Sequence, residues 1–540
     1  MGLKHSLSNI GKVALILPPP WSPLTVPLGI STIAELFRRN GIECRIFDWN
    51  IMLLHEIKQK YGAKFNRESH IFWNSTYTSP KWNDPGFLGQ PEGGEIQLWI
   101  DRHLGEIIDA GYKTIGLSAY ETNINITKQL INTIRKRVPD SLILLGGPAT
   151  SDLIEYRQKK SWLLDIDYIF YTEAEASVTL LIKNLISRKK RMQIPGTAYV
   201  IGKRHNTLPA LFQLLKAYFR NNNNETNAMI FTPHVQATDM LLVPTINFDD
   251  LDLKSYKSDV IPIEFSRGCS HACRFCSESK RFRPYRPRPI DNLLQDIKIA
   301  VEKYKAHEAY MICSELNGNS EHLKSFCFAM IKSNIKIKWS GNIRFDENLN
   351  AELLKLMYLA GCTNLNFGLE SGSDHVLELM NKQFNIHTAS RIVEICADVG
   401  ISVCINLIVG FPGETEDDFN QTLEFIGKYH KIVSIFSVSK CYVDRQAPLG
   451  RNPGRFGILT YNNKLVAVSP DQPAGNELPA IIPHGPHWSD WCTINGDNTP
   501  FIRNQRYQKI LLYLDKLGRR GNTPQDAKKS SDLSELSLKD

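Results

Sequence analysis

Cys269, Cys273 and Cys276 stand in the run Ser266-Arg-Gly-Cys-Ser-His-Ala-Cys-Arg-Phe-Cys276. The C-x-x-x-C-x-x-C spacing lets one tight loop offer three thiolates to a cuboidal iron–sulfur cluster, leaving the fourth iron without a protein ligand. An open position on a metal centre is where a cofactor or substrate binds, whereas a fourth cysteine closes a cluster for electron transfer. The next cysteine, Cys313, lies far downstream, so the ligand count stops at three. The rival reading is a zinc loop. Zinc sites, however, pair one two-residue knuckle with a second, and His271 falls inside the loop, where the geometry is cramped.

The elements that must position these thiols are legible on both sides. The loop follows the strand-like run Ile261-Pro-Ile-Glu-Phe265, and from Ile261 to about Cys441 strand and helix patterns alternate six times. That alternation predicts a partial (β/α)6, TIM-like barrel over 251–447, with its chemistry at the strand C-termini. Upstream, Lys12–Leu17, Glu43–Phe47, Thr114–Ser118, Leu142–Leu145 and Tyr168–Tyr171 read as strands separated by helices. They predict an α/β, doubly wound Rossmann-like domain over 1–202, whose ligand crevice lies at the strand C-termini. Residues 51–100 interrupt this rhythm with Trp73, Trp82, Trp99 and the turn-formers Asp84-Pro-Gly86 and Glu92-Gly-Gly94. Such a long break reads as a functional insert, here a cover over the active site. Residues 203–250, with Asn221-Asn-Asn-Asn224, read as a linker, 448–520 as a Pro/Gly-rich C-terminal extension and 521–540 as a disordered tail.

With 540 residues, 42% hydrophobic and 22% charged, the chain has room for two or three globular domains. No run of about 18 uncharged apolar residues predicts a spanning helix, and the N-terminal residues lack the apolar core of a signal peptide. A cytoplasmic location is expected, where the eleven cysteines stay reduced or bind metal. The eight outside the triad read as small core residues. The net charge of +8 is gathered in short runs, Arg188-Lys-Lys-Arg191 and Arg281-Phe-Arg-Pro-Tyr-Arg-Pro-Arg288. Nucleic-acid binding calls for a more extended footprint. The second run abuts the cysteine loop and reads as complementary to an anionic cofactor or substrate.

The cysteine spacing, with Phe275 just before the last thiol, resembles that of the radical S-adenosylmethionine (SAM) superfamily. Phe367-Gly-Leu-Glu-Ser-Gly-Ser-Asp374 followed by Met380-Asn-Lys382, and Leu407-Ile-Val-Gly-Phe-Pro-Gly-Glu-Thr415, resemble the fourth and fifth barrel strands of the subgroup with an N-terminal cobalamin-binding domain. Trp339-Ser-Gly-Asn-Ile-Arg344 fits the third strand and Met311-Ile-Cys-Ser-Glu-Leu-Asn317 the second. The resemblance covers 245–445 closely and 10–200 loosely. It implies a [4Fe–4S] cluster on Cys269, Cys273 and Cys276, with SAM on the open iron. Reductive cleavage of SAM to a 5′-deoxyadenosyl radical then needs an external donor of the flavodoxin or ferredoxin type. By the same resemblance, Glu315 contacts the SAM amine, Arg344 its carboxylate, and Glu370 and Ser371 its ribose or carboxylate. Gly410 permits close approach of the adenine, beside Phe275.

The resemblance also implies cobalamin at the strand ends of the first domain, with Pro19, Ser118, Tyr120, Gly146, Gly147 and Glu173 as contacts. No histidine follows the first strand, and Asp101-Arg-His103-Leu-Gly105 falls on a helix pattern, one residue short of the Asp-x-His-x-x-Gly motif. Thr172-Glu-Ala-Glu175 stands where relatives carry Gly-Glu-Gly-Glu. The expected activity is methylation of an unactivated carbon in a small molecule or biosynthetic intermediate. Ring closure, coupling or rearrangement by the same radical chemistry is the first alternative, and a non-catalytic iron–sulfur carrier the second. A carrier needs none of the SAM-side motifs, and RNA methylthiolation would call for a second cysteine trio. Trp488 and Trp491 suit a planar substrate or core packing equally.

Overall fold

The computed structural model describes residues 11–61, 82, 86, 91–155, 161–187, 194–201, 228–233, 237–256, 258–461, 464–465, 487–488 and 491–519. The chain divides into two compact units, Met1–Asp259 and Val260–Asp540. Both are α/β with parallel sheets, as the strand–helix alternation predicts.

The first unit is built on a seven-stranded sheet in the order β2-β1-β3-β4-β5-β6-β7. The strands are β1 (Lys12–Leu17), β2 (Cys44–Asp48), β3 (Tyr112–Ser118), β4 (Leu142–Gly146), β5 (Tyr168–Phe170), β6 (Thr197–Ile201) and β7 (Ala228–Phe231). β1 to β5 pair in parallel, while β6 and β7 are antiparallel. Val13 to Leu17 are all buried, the mark of a central parallel strand covered on both faces. β1 lies between β2 and β3, so successive connections leave it in opposite directions. The crevice of such a sheet opens there.

Two expectations need correction. The interruption at 51–100 is largely helical where described: Trp49–Tyr61 and Pro91–Asp109 are helices. Glu92-Gly-Gly94 reads as a turn-former, yet it occupies the first turn of the helix Pro91–Asp109, whose leading proline is tolerated there. Trp82 and Trp99 are core residues rather than a cover, and Trp99 meets Trp49 edge-on at 5.7 Å. Trp73 lies outside the described residues. The stretch 203–250 also supplies β7, and Asp250 accepts the Ile46 N–H at 2.6 Å while pairing with Arg38. These bonds tie it to the first unit. The polyasparagine run, the basic run at 188–191 and the tail at 521–540 lie outside the described residues.

Asp48, at the end of β2, is buried and accepts hydrogen bonds from Tyr256 Oη at 2.6 Å and Ile51 N at 3.0 Å. Burial outweighs both and pushes its carboxyl up to about 6. A carboxyl raised above its unfolded value contributes stability below the unfolded pKa and loses it as pH rises through the folded one. The first unit is therefore expected to lose on the order of 3 kcal/mol between about pH 4 and 6. Denaturant titrations of wild type and Asp48→Asn across this window test it: the slope should flatten in the variant.

The second unit carries a six-stranded, all-parallel sheet in the order β15-β14-β13-β12-β11-β8. β8 (Ile261–Glu264), β11 (Glu308–Ile312), β12 (Lys338–Ile343), β13 (Cys362–Glu370), β14 (Ser402–Val409) and β15 (Val433–Lys440) alternate with helices. Several of these helices start on side-chain caps: Asn319, Asn350, Asn385 and Thr415 each accept a backbone N–H of the first turn. One sheet face carries Met311, Ile343, Leu365, Phe367 and Ile405, all buried. The opposite face carries Tyr310, Asn342, Asn366, Asn406 and Ser437, all half-buried. This open barrel therefore has a polar lumen. In the C-terminal extension, Trp491 is wholly buried and donates its indole N–H to Cys441 O at 3.1 Å. It belongs to the core, while the Trp488 side chain lies outside the described residues. Among the described residues, no helix is long and apolar enough to cross a membrane.

Candidate functional site

The cysteine loop leaves β8 through β9 (Ser266–Arg267) and returns through β10 (Arg286–Pro287), which pairs with β9 antiparallel. Gly268 turns the chain at φ +82°, and a Cβ there would lie 2.2 Å from Phe282 O and 2.6 Å from Pro284 O. Only glycine fits this close approach. The loop is then tied to the turn after β13. Arg274 N donates to Met380 O at 2.9 Å, Arg274 Nη1 to Leu379 O at 2.8 Å, and Asn381 Nδ2 to Ala272 O at 2.9 Å. His271 sets Nδ1 3.0 Å from Gln383 Oε1 and Nε2 3.6 Å from Glu315 Oε2.

Around the thiols stand residues from three further strand ends. Arg344, after β12, brings Nη1 within 3.5 Å of Cys273 Sγ. Its backbone is clamped by Asn317, whose side chain accepts from Arg344 N at 3.1 Å and donates to Arg344 O at 3.0 Å. Arg344 Nη2 is buried without a hydrogen-bond acceptor, a state that costs free energy unless a ligand supplies one. Glu370 ends β13 at φ +75°, where the register with β14 shifts. Burial raises its carboxyl, opposed by Lys382 and Arg344, and Lys382 Nζ lies 3.3 Å from Glu370 Oε1. A positive φ on a bulged, non-glycine strand end is strain of the kind found at functional sites. Phe275 lies beside this pair, with Lys382 Nζ 5.6 Å from its ring centre.

Three SAM-side expectations find other partners. Glu315 Oε1 accepts from Ser270 N and Oγ, both at 2.7 Å, so its carboxylate holds the cysteine loop. Ser371 Oγ is buried against Thr422 Oγ1 at 3.2 Å and Ser373 N at 3.2 Å. Gly410, at φ +78°, does admit close approach, but by Arg503: a Cβ there would lie 2.2 Å from Arg503 Cγ. The basic run is likewise spent on structure. Arg286 Nε donates to Pro284 O at 3.1 Å, Arg281 Nε to Gln446 Oε1 at 3.1 Å, and Arg288 pairs with Asp296 at 2.9 Å in full burial.

Burial pushes the Cys269 thiol up to about 12, with Glu315 adding to it, and pushes Cys276 to about 12, with Glu278 adding. Loading a cluster must displace these protons. Among the described residues, no group of three His, Cys, Asp or Glu side chains converges as a single-ion site. Thiols that share a cluster stand further apart than thiols on one ion, since each binds a different iron. Three cysteines on one loop, with Arg344 reaching Cys273 and its Nη2 lacking an acceptor, suit a cluster with an anionic ligand beside it. The eight other cysteines are buried free thiols.

In the first unit, the loops after β1, β3 and β4 gather at the crevice. Asn123 Nδ2 donates to Pro18 O at 3.0 Å and Thr122 Oγ1 to Pro20 O at 2.9 Å, which fixes Pro19 between them. Tyr120 faces Trp21 at 5.6 Å, both half-buried, with Ser118 below. Gly147, at φ +102°, packs on the Ala119 backbone, whereas a Cβ on Gly146 would meet open space. Glu173 accepts the Thr238 N–H at 3.0 Å. Asp101-Arg-His103 lies inside the helix Pro91–Asp109, where His103 stacks on Trp99 at 3.8 Å. The crevice thus offers aromatic walls and an open glycine, which suit a large planar group held by packing.

Residues 263–426 match the radical SAM superfamily. These residues are thus similar to the domain of a superfamily whose cofactors are a [4Fe–4S] cluster and SAM. The chain's fold is that of cobalamin-dependent radical SAM enzymes. It aligns with OxsB, solved with aqua-cobalamin and SAM bound, at a TM-score of 0.61 and 16% identity, covering 84% of this chain and 61% of that one. It aligns with TsrM from Kitasatospora setae, a radical SAM methyltransferase solved with cobalamin and a [4Fe–4S] cluster, at 0.59 and 14%, covering 83% and 80%. An uncharacterized methyltransferase of Pyrococcus horikoshii is 25% identical over 334 residues, which are 61% of this chain and 67% of that protein. The anaerobic magnesium-protoporphyrin IX monomethyl ester cyclase of Rubrivivax gelatinosus is 29% identical over 217 residues, 40% of this chain and 39% of the cyclase.

Proposed function

We propose that this protein is a cobalamin-dependent radical SAM methyltransferase acting on an unactivated carbon of a small molecule. The observation that carries this reading is the presence on one chain of two sites. One is a three-cysteine loop beside an acceptor-less guanidinium, Arg344 Nη2. The other is a parallel-sheet crevice walled by Trp21 and Tyr120. The methyltransferase relative and the TsrM likeness support it. When bound, the cluster and SAM supply one-electron chemistry able to open a C–H bond, and cobalamin supplies a methyl group.

The chain's own residues have distinct tasks in this reading. Cys269, Cys273 and Cys276 hold the cluster and leave one coordination position free. Arg344 pairs with a carboxylate there through its planar fork. Glu370, held by Lys382, accepts from an ammonium or hydroxyl group. Phe275 and Phe384, whose ring centres lie 5.6 and 5.5 Å from Lys382 Nζ, exclude water. Glu315 keeps the loop in register through Ser270. Pro19, Ser118, Tyr120, Gly146 and Gly147 line the crevice for cobalamin without offering a histidine to cobalt. The polar lumen, with Asn342, Asn366, Asn406 and Ser437, suits a substrate with hydrogen-bonding groups. A small flavodoxin- or ferredoxin-type protein delivers the electrons.

The cyclase relatives favour a second reading, radical ring closure. Turnover with methyl-labelled SAM separates the two. Methylation should yield 5′-deoxyadenosine and S-adenosylhomocysteine together, with label in the product. Deoxyadenosine without S-adenosylhomocysteine, in the presence of cobalamin and true substrate, would sink methylation and leave ring closure.

A further inference from the structure

Lys382 is only 4% exposed, and a lysine is almost never buried without a task. Its Nζ lies 3.3 Å from Glu370 Oε1, 5.6 Å from the Phe275 ring centre and 5.5 Å from that of Phe384. Arg344 approaches the same Phe384 ring at 5.4 Å while reaching toward Cys273. Phe384 thus carries two buried cations. The chain makes room for the ion pair at Gly368, where a Cβ would lie 2.5 Å from Glu370 Oε1 and 3.3 Å from Lys382 Nζ. Glu370 meanwhile holds a strained positive φ. Buried pairs and backbone strain both cost stability, so an arrangement that needs both, plus a missing side chain, is there for a function. Glu315 binds Ser270 beside Cys269, while Arg344 reaches Cys273 and Lys382 lies over the ring of Phe275, the neighbour of Cys276.

We propose that Lys382 is a positioning residue of the cluster site. Its ammonium holds the Glu370 carboxylate in the bulge at the end of β13. It also stabilises the negative charge added on the Cys276 side when the cluster takes up an electron. This rests on the radical SAM reading and is independent of whether the reaction is methylation or ring closure.

Lys382→Met keeps the apolar stem between the two rings and removes the charge. Anaerobically reconstituted holoprotein is compared with wild type by iron content, by potentiometric titration of the cluster with dithionite, and by equilibrium binding of SAM. In Lys382→Met, iron content should be unchanged, and reduction should become about tenfold less favourable, about 59 mV lower for a one-electron couple. SAM affinity should fall about tenfold as Glu370 loses its anchor. Lys382→Arg should restore both. In Glu370→Gln, SAM binding should weaken while the potential moves the opposite way, upward. A Lys382→Met protein that loads iron with unchanged potential and SAM affinity would overturn the proposal. So would a Lys382→Arg protein as defective as Lys382→Met, since packing would then be the whole role. If Lys382→Met fails to load iron, a downward shift in Glu370→Gln overturns the proposal instead. A wild-type protein that holds no cluster would overturn the reading underneath it, before any variant is compared.

Discussion

Cys273→Ala protein is expected to load almost no iron and to release no detectable 5′-deoxyadenosine from SAM, while keeping its far-ultraviolet circular dichroism. Cys273 is the buried member of the triad, and its charge bears on both Cys269 and Cys276. It is also the thiol within 3.5 Å of Arg344 Nη1. Three ligands are the minimum offered, so losing one leaves two irons without protein ligands, and Arg344 then lacks a partner for either terminal nitrogen. Wild-type protein reconstituted anaerobically should hold about four irons per chain. Wild-type iron in the variant would contradict the ligand assignment. About eight irons in wild type, half of them surviving loss of the triad, would reveal a second cluster.

Gly268→Ala should be nearly as damaging to the cluster, for a reason that involves no ligand. At φ +82° an alanine is strained by about 1 kcal/mol or more. Its Cβ would press on the carbonyl oxygens of Phe282 and Pro284 at 2.2 and 2.6 Å. Both are backbone atoms and neither swings aside, so the loop itself must move, at a total cost of roughly 3 kcal/mol. The neighbouring barrel strands are independent of this turn. The variant should therefore fold, lose most of its iron and show a lower midpoint in thermal unfolding of the holoprotein. Full iron content with unchanged SAM cleavage would show that the loop tolerates displacement.

Both predictions concern residues of one short loop, and these were the legible part. Spacing within Cys269–Cys276 is local geometry, so one loop reports its own chemistry. The continuous apolar runs of β1, β3 and β4, buried on both faces, and the largely every-second-residue burial of β11 to β15 are local too, because each follows from the strand's own short-range pattern. The stretch at 51–100 misled because Gly93 and Gly94 are compatible with either a turn or a helical first turn. Trp99 packing on Trp49 decides for the helix. The stretch at 203–250 misled because β7 is apolar over only four residues, Ala228–Phe231, and gains its hydrogen bonds from β6.

The sequence by itself determined the three-thiol loop, the two parallel α/β units and the strand ends at which chemistry would gather. All of these follow from short-range spacing and periodicity. The tertiary structure alone decided how charges are paired at those strand ends. Lys382 occurs in a recognisable Met-Asn-Lys run, yet nothing in that run says that its ammonium meets Glu370 twelve residues earlier. Nor does the sequence say that Arg503, about ninety residues on, fills the space beside Gly410. Nor does it say that Glu315, expected at a cofactor, also holds Ser270. Buried polar groups must find partners wherever the fold brings donors and acceptors within about 3 Å. Such meetings depend on how the chain closes in space, and neither residue spacing nor residue type encodes them.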